Sequence, residues 1–460
     1  VFYCFTFADS TFKLRCMTRI RLAPVTAVTC NDSFEVLSDA AIHIENGRIV
    51  YIGPQNTSPV FEADEAFGGE HMVALPGLIN AHTHSAMTLL RGYADDMALE
   101  PWLQTKIWPF ESHLQPDDVY WGTKLAIAEM LRGGTTTFAD MYFFYERGAQ
   151  AIIESGIRAC PGGVLLGFLP GAEARIANAI AFARDFRGAG VGRITPFLAP
   201  HSLYTCTREQ WAKFINAAHE NSWMITTHVA ETPREVADVT TQWGASPVRA
   251  LQEIGALHGP LLAAHCVYLE DEEVEIVANR RGNDNQSTLR VAHNPTSNLK
   301  LASGFAPIPK YLERNITVAL GPDGTASNND LDMWEEMRLA ALLHKATTND
   351  PTAVSAQQAL LMATREGARA LNLGDHIGTL EEGKKADIVL IDFDKPHLTP
   401  CHNVVSHLVY AAKSSDVDTV LVDGKVLLRR GELTTVDEKQ VKQEAASRAR
   451  ALAAKDLVNS

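Results

Sequence analysis

The chain has 460 residues, 46% apolar and 21% charged, enough for a large core and more than one compact unit usually needs. Its 41 basic and 55 acidic residues leave a net charge of −14, which argues against nucleic acid or an anionic membrane surface as a partner. No apolar run reaches the ~18–20 residues of a membrane-crossing helix. Seven scattered cysteines, never spaced C-x-x-C, exclude a disulfide framework and a cysteine zinc site and point to a reduced, cytoplasmic setting.

Val1 to Cys16 are rich in aromatic residues, are interrupted by Asp9 and Lys13, and carry no small-residue cleavage site. They are read as an N-terminal extension (residues 1–19), with Met17 as the natural start, not as a signal peptide. Residues 20–75 read as small β structure. Ala41 to Ile52 form a hairpin turning at Asn46-Gly47, and His43 alternates with apolar neighbours, so it is expected on the solvent face.

From Pro76 strand-like runs alternate with helical stretches such as Val119 to Arg132 and Arg208 to Glu220. The runs are Leu75–His84, Thr135–Met141, Gly156–Cys160, Ile194–His201, Met224–His228, Leu261–His265, Leu289–His293 and Thr317–Asp323. Eight such units predict an α/β fold: a (β/α)8 TIM-type barrel over residues 76–374. No G-x-G-x-x-G turn follows the early strands, which disfavours an open doubly wound sheet. Residues 375–436 return to β structure, with a turn at Asp423-Gly424, and are expected to join residues 20–75 in one small flanking β-sandwich built from both termini. Residues 437–460 read as a C-terminal surface helix.

Active sites of such barrels lie at the C-terminal strand ends. Those ends carry His82 and His84, then Asp140, His201, His228, His265, His293 and Asp323. Core packing gives no reason for imidazole at so many ends, so a metal site is the better reading. His82 and His84 are two apart, so an extended strand aims both at one point. With His228 and Asp323 they make three imidazoles and a carboxylate, which leaves room for a water. One divalent ion is expected, with zinc the default and Fe2+ or Mn2+ the alternatives. Strand four ends in Ala199-Pro200-His201 with no lysine to bridge a second metal. Glu231, three residues after His228, is either a proton shuttle or a surface glutamate at a helix N-terminus. The cytidine-deaminase type of zinc site needs P-C-x-x-C, and Pro400-Cys401 lacks the second cysteine.

From about Met17 or Arg21 onward the sequence resembles the amidohydrolase superfamily, and within it the 5-methylthioadenosine/S-adenosylhomocysteine deaminases and their adenosine-type relatives. The resemblance is carried by Pro76 to His84, Met87 to Gly92, Ser297 to Leu301, Asp323 to Asn329 and Glu336 to Ala340. It implies one metal held by His82, His84, His228 and Asp323, with Glu231 and His265 as catalytic neighbours. It places Glu111 on the ribose hydroxyls and His201, Arg175 and Ser327 on the substrate, and it leaves His293 and Asp140 in supporting roles. Gly163 stands where the family has a second arginine for the homocysteine carboxylate. Pro322 stands where threonine is usual, and Arg280 to Ser287 reads as a short polar insertion.

The expected reaction is deamination of a small-molecule nucleoside by attack of metal-bound hydroxide on purine C6. Glu231 would protonate N1, Asp323 would move the water proton to the departing ammonia, and His265 would orient the nucleophile. The substrates expected are 5′-methylthioadenosine, S-adenosylhomocysteine or adenosine. The rivals are an amidohydrolase acting on guanine, cytosine, a triazine or a halogenated ring, and a non-catalytic barrel scaffold. A homo-oligomer is compatible with the sequence.

Overall fold

The computed structural model describes residues 18–459. The reading of Met17 as a start, and most of the expected 1–19 extension, lie outside the described residues. The centre is an eight-stranded parallel sheet. Its strands lie side by side in chain order. They are β1 (Leu78–Thr83), β2 (Thr135–Tyr142), β3 (Arg158–Leu165), β4 (Phe197–Pro200), β5 (Ile225–Val229), β6 (Leu261–His265), β7 (Leu289–His293) and β8 (Val318–Leu320). The Asp323 amide donates to the carbonyl of His82 at 3.1 Å, which ties the last strand back to the first. This is the nearly closed barrel of the sequence reading.

Two boundaries differ from expectation. The run Leu75–His84 is two strands in two sheets, because Met72–Pro76 pairs with the flanking sheet and Leu78–Thr83 opens the barrel. Gly77 makes the passage, where a Cβ would lie 2.0 Å from Thr136 Oγ1. β3 begins at Arg158 and runs five residues past Cys160, through Pro161-Gly162-Gly163, which reads as a break in sequence.

Alternation along the strands sets which side chains enter the barrel. Ile79, Ala81, Ala139, Cys160, Phe197, Met224, Leu262, Ala292 and Ala319 form the inner cluster. Leu261, Ala263, Leu289, Val291, Val318 and Leu320 face the helices instead.

The two flanks form one nine-stranded sheet. Arg19–Val28 pairs antiparallel with Val36–Glu45 and parallel with Met72–Pro76, and Ile388–Asp392 joins it by pairing antiparallel with Met72–Pro76. Its inner face encloses Ile20, Leu22, Ile42, Ile44, Ile388 and Leu421. His43 is not on a solvent face: it is 2% exposed, and Phe61 covers it with ring centroids 4.4 Å apart. The residues Arg280 to Ser287 form a turn bridged by Arg281 and Ser287 just before β7 begins, at the opposite end of the barrel from His82 and Asp323.

The C-terminal helix, Glu438–Asn459, is more than a surface helix. Val441, Ala445 and Leu452 are buried, and the latter two pack with Ala86, Leu89 and Phe110. Arg448 bonds Asp118 at 2.8 Å, and Tyr93 donates to Asp456. Its buried stripe is made largely of alanine, too weakly apolar to read as a core face. No helix among the described residues is long and apolar enough to cross a membrane.

A buried ion pair joins barrel and flanking sheet. Arg158 at the start of β3 donates to Asp387 through Nε at 2.7 Å and Nη2 at 3.0 Å, with side chains 4% and 2% exposed. Removing one partner strands the other charge in the interior, a cost of about 3–5 kcal/mol. Arg158→Met should therefore lower the urea midpoint of unfolding markedly while the metal content of the folded protein stays unchanged.

Candidate active site

The barrel mouth gathers the strand-end residues selectively. His82 Nε2 and His84 Nε2 lie 3.3 and 3.2 Å from Asp323 Oδ1, and His228 Nε2 lies 3.4 Å from His84 Nε2. The donor atoms of His82, His84 and Asp323 lie within 4.8 Å of one another, and so do those of His82, His228 and His265, so two triads share His82, although their residues come from β1 and its end, β5, β6 and the turn after β8. The ladder between β1 and β2 shifts register between Asn80 and Thr83, and this irregularity carries His82 and His84 into the mouth.

The chemistry of this set fits a divalent cation. His82 Nε2 and Asp323 Oδ1 are buried with no hydrogen-bond partner among the described residues, a costly state for polar atoms unless something binds them. The remaining donors are already committed. His84 Nδ1 bonds the carbonyl of Met141 at 2.6 Å and His228 Nδ1 that of His201 at 2.8 Å, which leaves each Nε2 as the ligating atom. Asp323 Oδ2 accepts from Ser297 Oγ at 2.7 Å and Ser327 Oγ at 3.0 Å, which leaves Oδ1 free to ligate. Asp323 has φ 64°, and its carbonyl accepts from Thr83 Oγ1 at 2.7 Å. Asn328 Nδ2, held by buried Glu336, bonds the carbonyl of Pro322, so Pro322 sits within a fixed turn.

The charges are uneven. Burial opposes ionisation of Asp323, but the adjacent imidazoles of His82 and His84 hold its carboxyl well below the usual range. Burial also opposes a charge on His84, yet Asp323 lifts it to about 9, whereas burial takes His82 down to about 4. Burial and the neighbouring imidazoles hold His228 well below its ordinary value.

Around this point lies a cavity lined by Glu111, His201, Glu231, His265 and Ser327 together with His84, His228 and Asp323. His265 belongs to β6, on the face that points to the helices, but its φ of 73° turns it into the mouth. Its Nδ1 lies 2.8 Å from Asn298 Oδ1 and its Nε2 3.6 Å from Glu231 Oε2. Glu231 is 7% exposed, accepts from Ser303 Oγ at 3.3 Å, and has its pKa raised by burial. It is not a surface helix glutamate. His201 Nδ1 lies 3.1 Å from Thr205 Oγ1, which leaves Nε2 for a ligand. Glu111, raised to about 7 by burial, accepts from Tyr142 Oη at 2.8 Å.

Two strand-end residues, Asp140 and His293, and the helical Arg175 do not line this cavity. Asp140 accepts from the amide and hydroxyl of Ser85 at 2.7 and 2.8 Å, clamping the chain just past His84. His293 follows the outward face of β7 and meets His344, Nε2 to Nε2, at 3.1 Å. Arg175 is exposed on the helix Ala172–Asp185, donates to the carbonyl of Pro170 at 3.3 Å, and lines a second cavity beside the first. Ser327 lines the first cavity, but its hydroxyl also serves Asp323. Tyr142, Ser297 and Asn298 are supporting residues that sequence reasoning did not single out. The last two lie in a stretch that carried the resemblance, whereas Tyr142, in Met141-Tyr142-Phe143, reads as core.

The model of the amidohydrolase family matches residues 73–427. The chain belongs to this family. Among amidohydrolases, 5-methylthioadenosine/S-adenosylhomocysteine deaminase of Pelotomaculum thermopropionicum is 46% identical over 434 residues, which span 94% of this chain and 98% of that protein. The crystal structure of an adenosine deaminase from Xanthomonas campestris with bound zinc superposes with a TM-score of 0.89 at 37% identity, over 96% of this chain and 99% of that one. Atrazine chlorohydrolase of Arthrobacter aurescens TC1, complexed with zinc, gives 0.85 at 26%, over 94% and 100%.

A cation entering this amidohydrolase site must displace the proton that Asp323 keeps on His84. Below about pH 9 the apparent metal affinity should thus rise by roughly tenfold per pH unit, with about one proton released per ion bound. Titration of the metal-free protein with zinc at pH 6, 7 and 8 in weakly buffered solution measures both quantities. An affinity independent of pH would show that His84 carries no such proton.

Proposed function

We propose that this amidohydrolase is a hydrolytic deaminase of adenosine-type nucleosides, converting the C6 amine of the purine to a carbonyl and releasing ammonia. The observation that carries the reading is the placement of Glu111. It lines both the cavity beside the proposed metal ligands and the second cavity. A purine facing the ligands puts its ribose hydroxyls within reach of that carboxylate and its 5′ substituent in the second cavity. The relatives described above support the same substrate class.

The donor set of three imidazoles and a carboxylate, and the zinc in both structural relatives, favour Zn2+ at His82, His84, His228 and Asp323. When bound, the ion supplies a Lewis acid that makes water nucleophilic at neutral pH. The protein's own groups do the rest. Glu231, kept protonated longer by burial, gives a proton to purine N1 as C6 becomes tetrahedral and regains one from the nucleophilic water, whose other proton leaves with the amine. Asp323, fixed by Ser297 and Ser327, takes the water proton and passes it to the departing amine. His265, whose ring Asn298 orients, presents Nε2 beside the attacking oxygen. His201 offers Nε2 to the base, and Glu111 accepts from the ribose.

The wall of the second cavity bears on the 5′ substituent. A side chain at Gly163 would meet the Tyr145 ring at 2.4 Å, so that ring fills the place the family gives to a second arginine. Trp108, Phe144, Phe168 and Leu169 give the wall its apolar part, and Glu146, Asn178 and Arg175 its polar part. Without a second arginine the homocysteine carboxylate has one cation fewer to meet, which weakens the case for S-adenosylhomocysteine and leaves 5′-methylthioadenosine and adenosine as the favoured substrates.

Glu231→Gln should keep its zinc and lose ~10²–10⁴ in kcat. A kcat near that of the parent enzyme would remove Glu231 from the reaction. Glu111→Ala should raise KM for adenosine and methylthioadenosine by about tenfold or more, the cost of a lost charged hydrogen bond, while inhibition by free adenine stays unchanged. Assay of adenosine, methylthioadenosine, S-adenosylhomocysteine, guanine and cytosine by absorbance shift and ammonia release tests the substrate class directly. Turnover confined to the free bases would overturn it.

A further inference from the structure

The strands that deliver His228 and His265 both end in left-handed turns, with φ 52° at Ala230, 73° at His265 and 47° at Cys266. Non-glycine residues adopt this region only under constraint. On one side of the first turn, the Ala230 carbonyl accepts from the amides of Val267 and Tyr268, each at 3.0 Å. On the other side, the amides of Ala230 and Glu231 both donate to one carboxylate. Glu235 Oε1 accepts from Ala230 at 2.9 Å and Oε2 from Glu231 at 2.7 Å.

Glu235 lies in the first turn of the helix Pro233–Trp243, whose N-cap is Thr232. A carboxylate there is favoured by the helix dipole, and the simplest account is ordinary helix capping. Two features exceed that account. The side chain is only 6% exposed, although burial costs a carboxylate dearly. Both its oxygens also reach back past the N-cap, to the two residues that aim the Glu231 side chain, while Thr232 Oγ1 accepts from the amide of Glu235 itself at 3.1 Å.

We propose that Glu235 is a positioning residue for deamination: it fixes the Ala230-Glu231 backbone so that the Glu231 carboxyl stands beside His265 Nε2 and faces the purine ring. The proposal rests on the assignment of Glu231 as the proton donor to N1. A glutamine at 235 matches the shape but offers one acceptor oxygen, and its NH2 opposes the second amide. The turn then relaxes, and Glu231 shifts by a fraction of an ångström to an ångström, a displacement that can cost on the order of a hundredfold in rate.

The test is a double-substitution cycle on the zinc-loaded enzyme with adenosine or methylthioadenosine as substrate. Glu235→Gln should keep its zinc, hold KM within about threefold, and lower kcat by roughly tenfold to a hundredfold. Added to Glu231→Gln, it should change the residual rate by less than about twofold, because the group it positions is already gone. A merely structural residue would lower both backgrounds in proportion. If the glutamine variant does not fold, Glu235→Asp, which keeps both acceptor oxygens, carries the same cycle with a smaller loss. A kcat within about threefold of the parent, or losses that multiply with those of Glu231→Gln, overturns the proposal. Glu231→Gln with normal turnover removes the proton-donor assignment and this proposal together. Glu231→Gln inactive beside Glu235→Gln fully active removes this proposal alone.

Discussion

The structure depends on the convergence of Asp323 with His82 and His84. One residue both closes the barrel and belongs to the candidate metal set: the Asp323 amide bonds the His82 carbonyl, and its Oδ1 lies within 3.3 Å of both imidazoles. The seam between first and last strands and the candidate cation site are the same place. Every support around it limits how far that carboxylate can move. Ser297 and Ser327 hold Oδ2, Thr83 holds the carbonyl, and the Asn328–Glu336 pair holds the residue before it. His82 Nε2 and Asp323 Oδ1 are buried with no hydrogen-bond partner among the described residues, a costly state unless a cation binds them.

The second organising constraint is the alternation of side chains along the strands. His228 and His201 share the inward face with Met224 and Phe197, and enter the mouth directly. His293 shares the outward face with Leu289 and Val291, and so pairs with His344 in the helical layer. His265 starts on the outward face and is turned inward by its left-handed backbone. Backbone irregularity at the strand ends is thus part of the site's construction. The same holds at Ala230, where Glu235 and the β6 loop grip the two sides of one turn.

Much of this was legible in the chain. The recurrence of apolar runs ending in histidine or aspartate indicated a barrel with a metal-binding mouth. The four residues expected to hold a metal, and Glu231, His265 and Glu111, were singled out from strand ends and motifs, and the structure brings all seven to one mouth. Barrel strands are buried on both faces and carry no polar alternation to mark inside from outside. Strand position alone therefore did not separate Asp140 and His293 from the residues that enter the cavity; the resemblance did, by leaving both in supporting roles. His43 was misplaced for a related reason: the residue that covers it, Phe61, belongs to an irregular segment with no sequence signal for where it lands.

The sequence by itself determined the kind of chemistry: imidazoles and carboxylates at strand ends, an even share of strands and helices, and a charge that disfavours polyanions. Those are properties of residue type and local spacing. Tertiary structure alone decided which of these groups face one another, that Tyr145 fills the space above Gly163, and that both oxygens of Glu235 reach the turn bearing Glu231. Such relations join residues through register, left-handed turns and closure of the sheet, and local spacing does not encode the distance between the ends of separate strands.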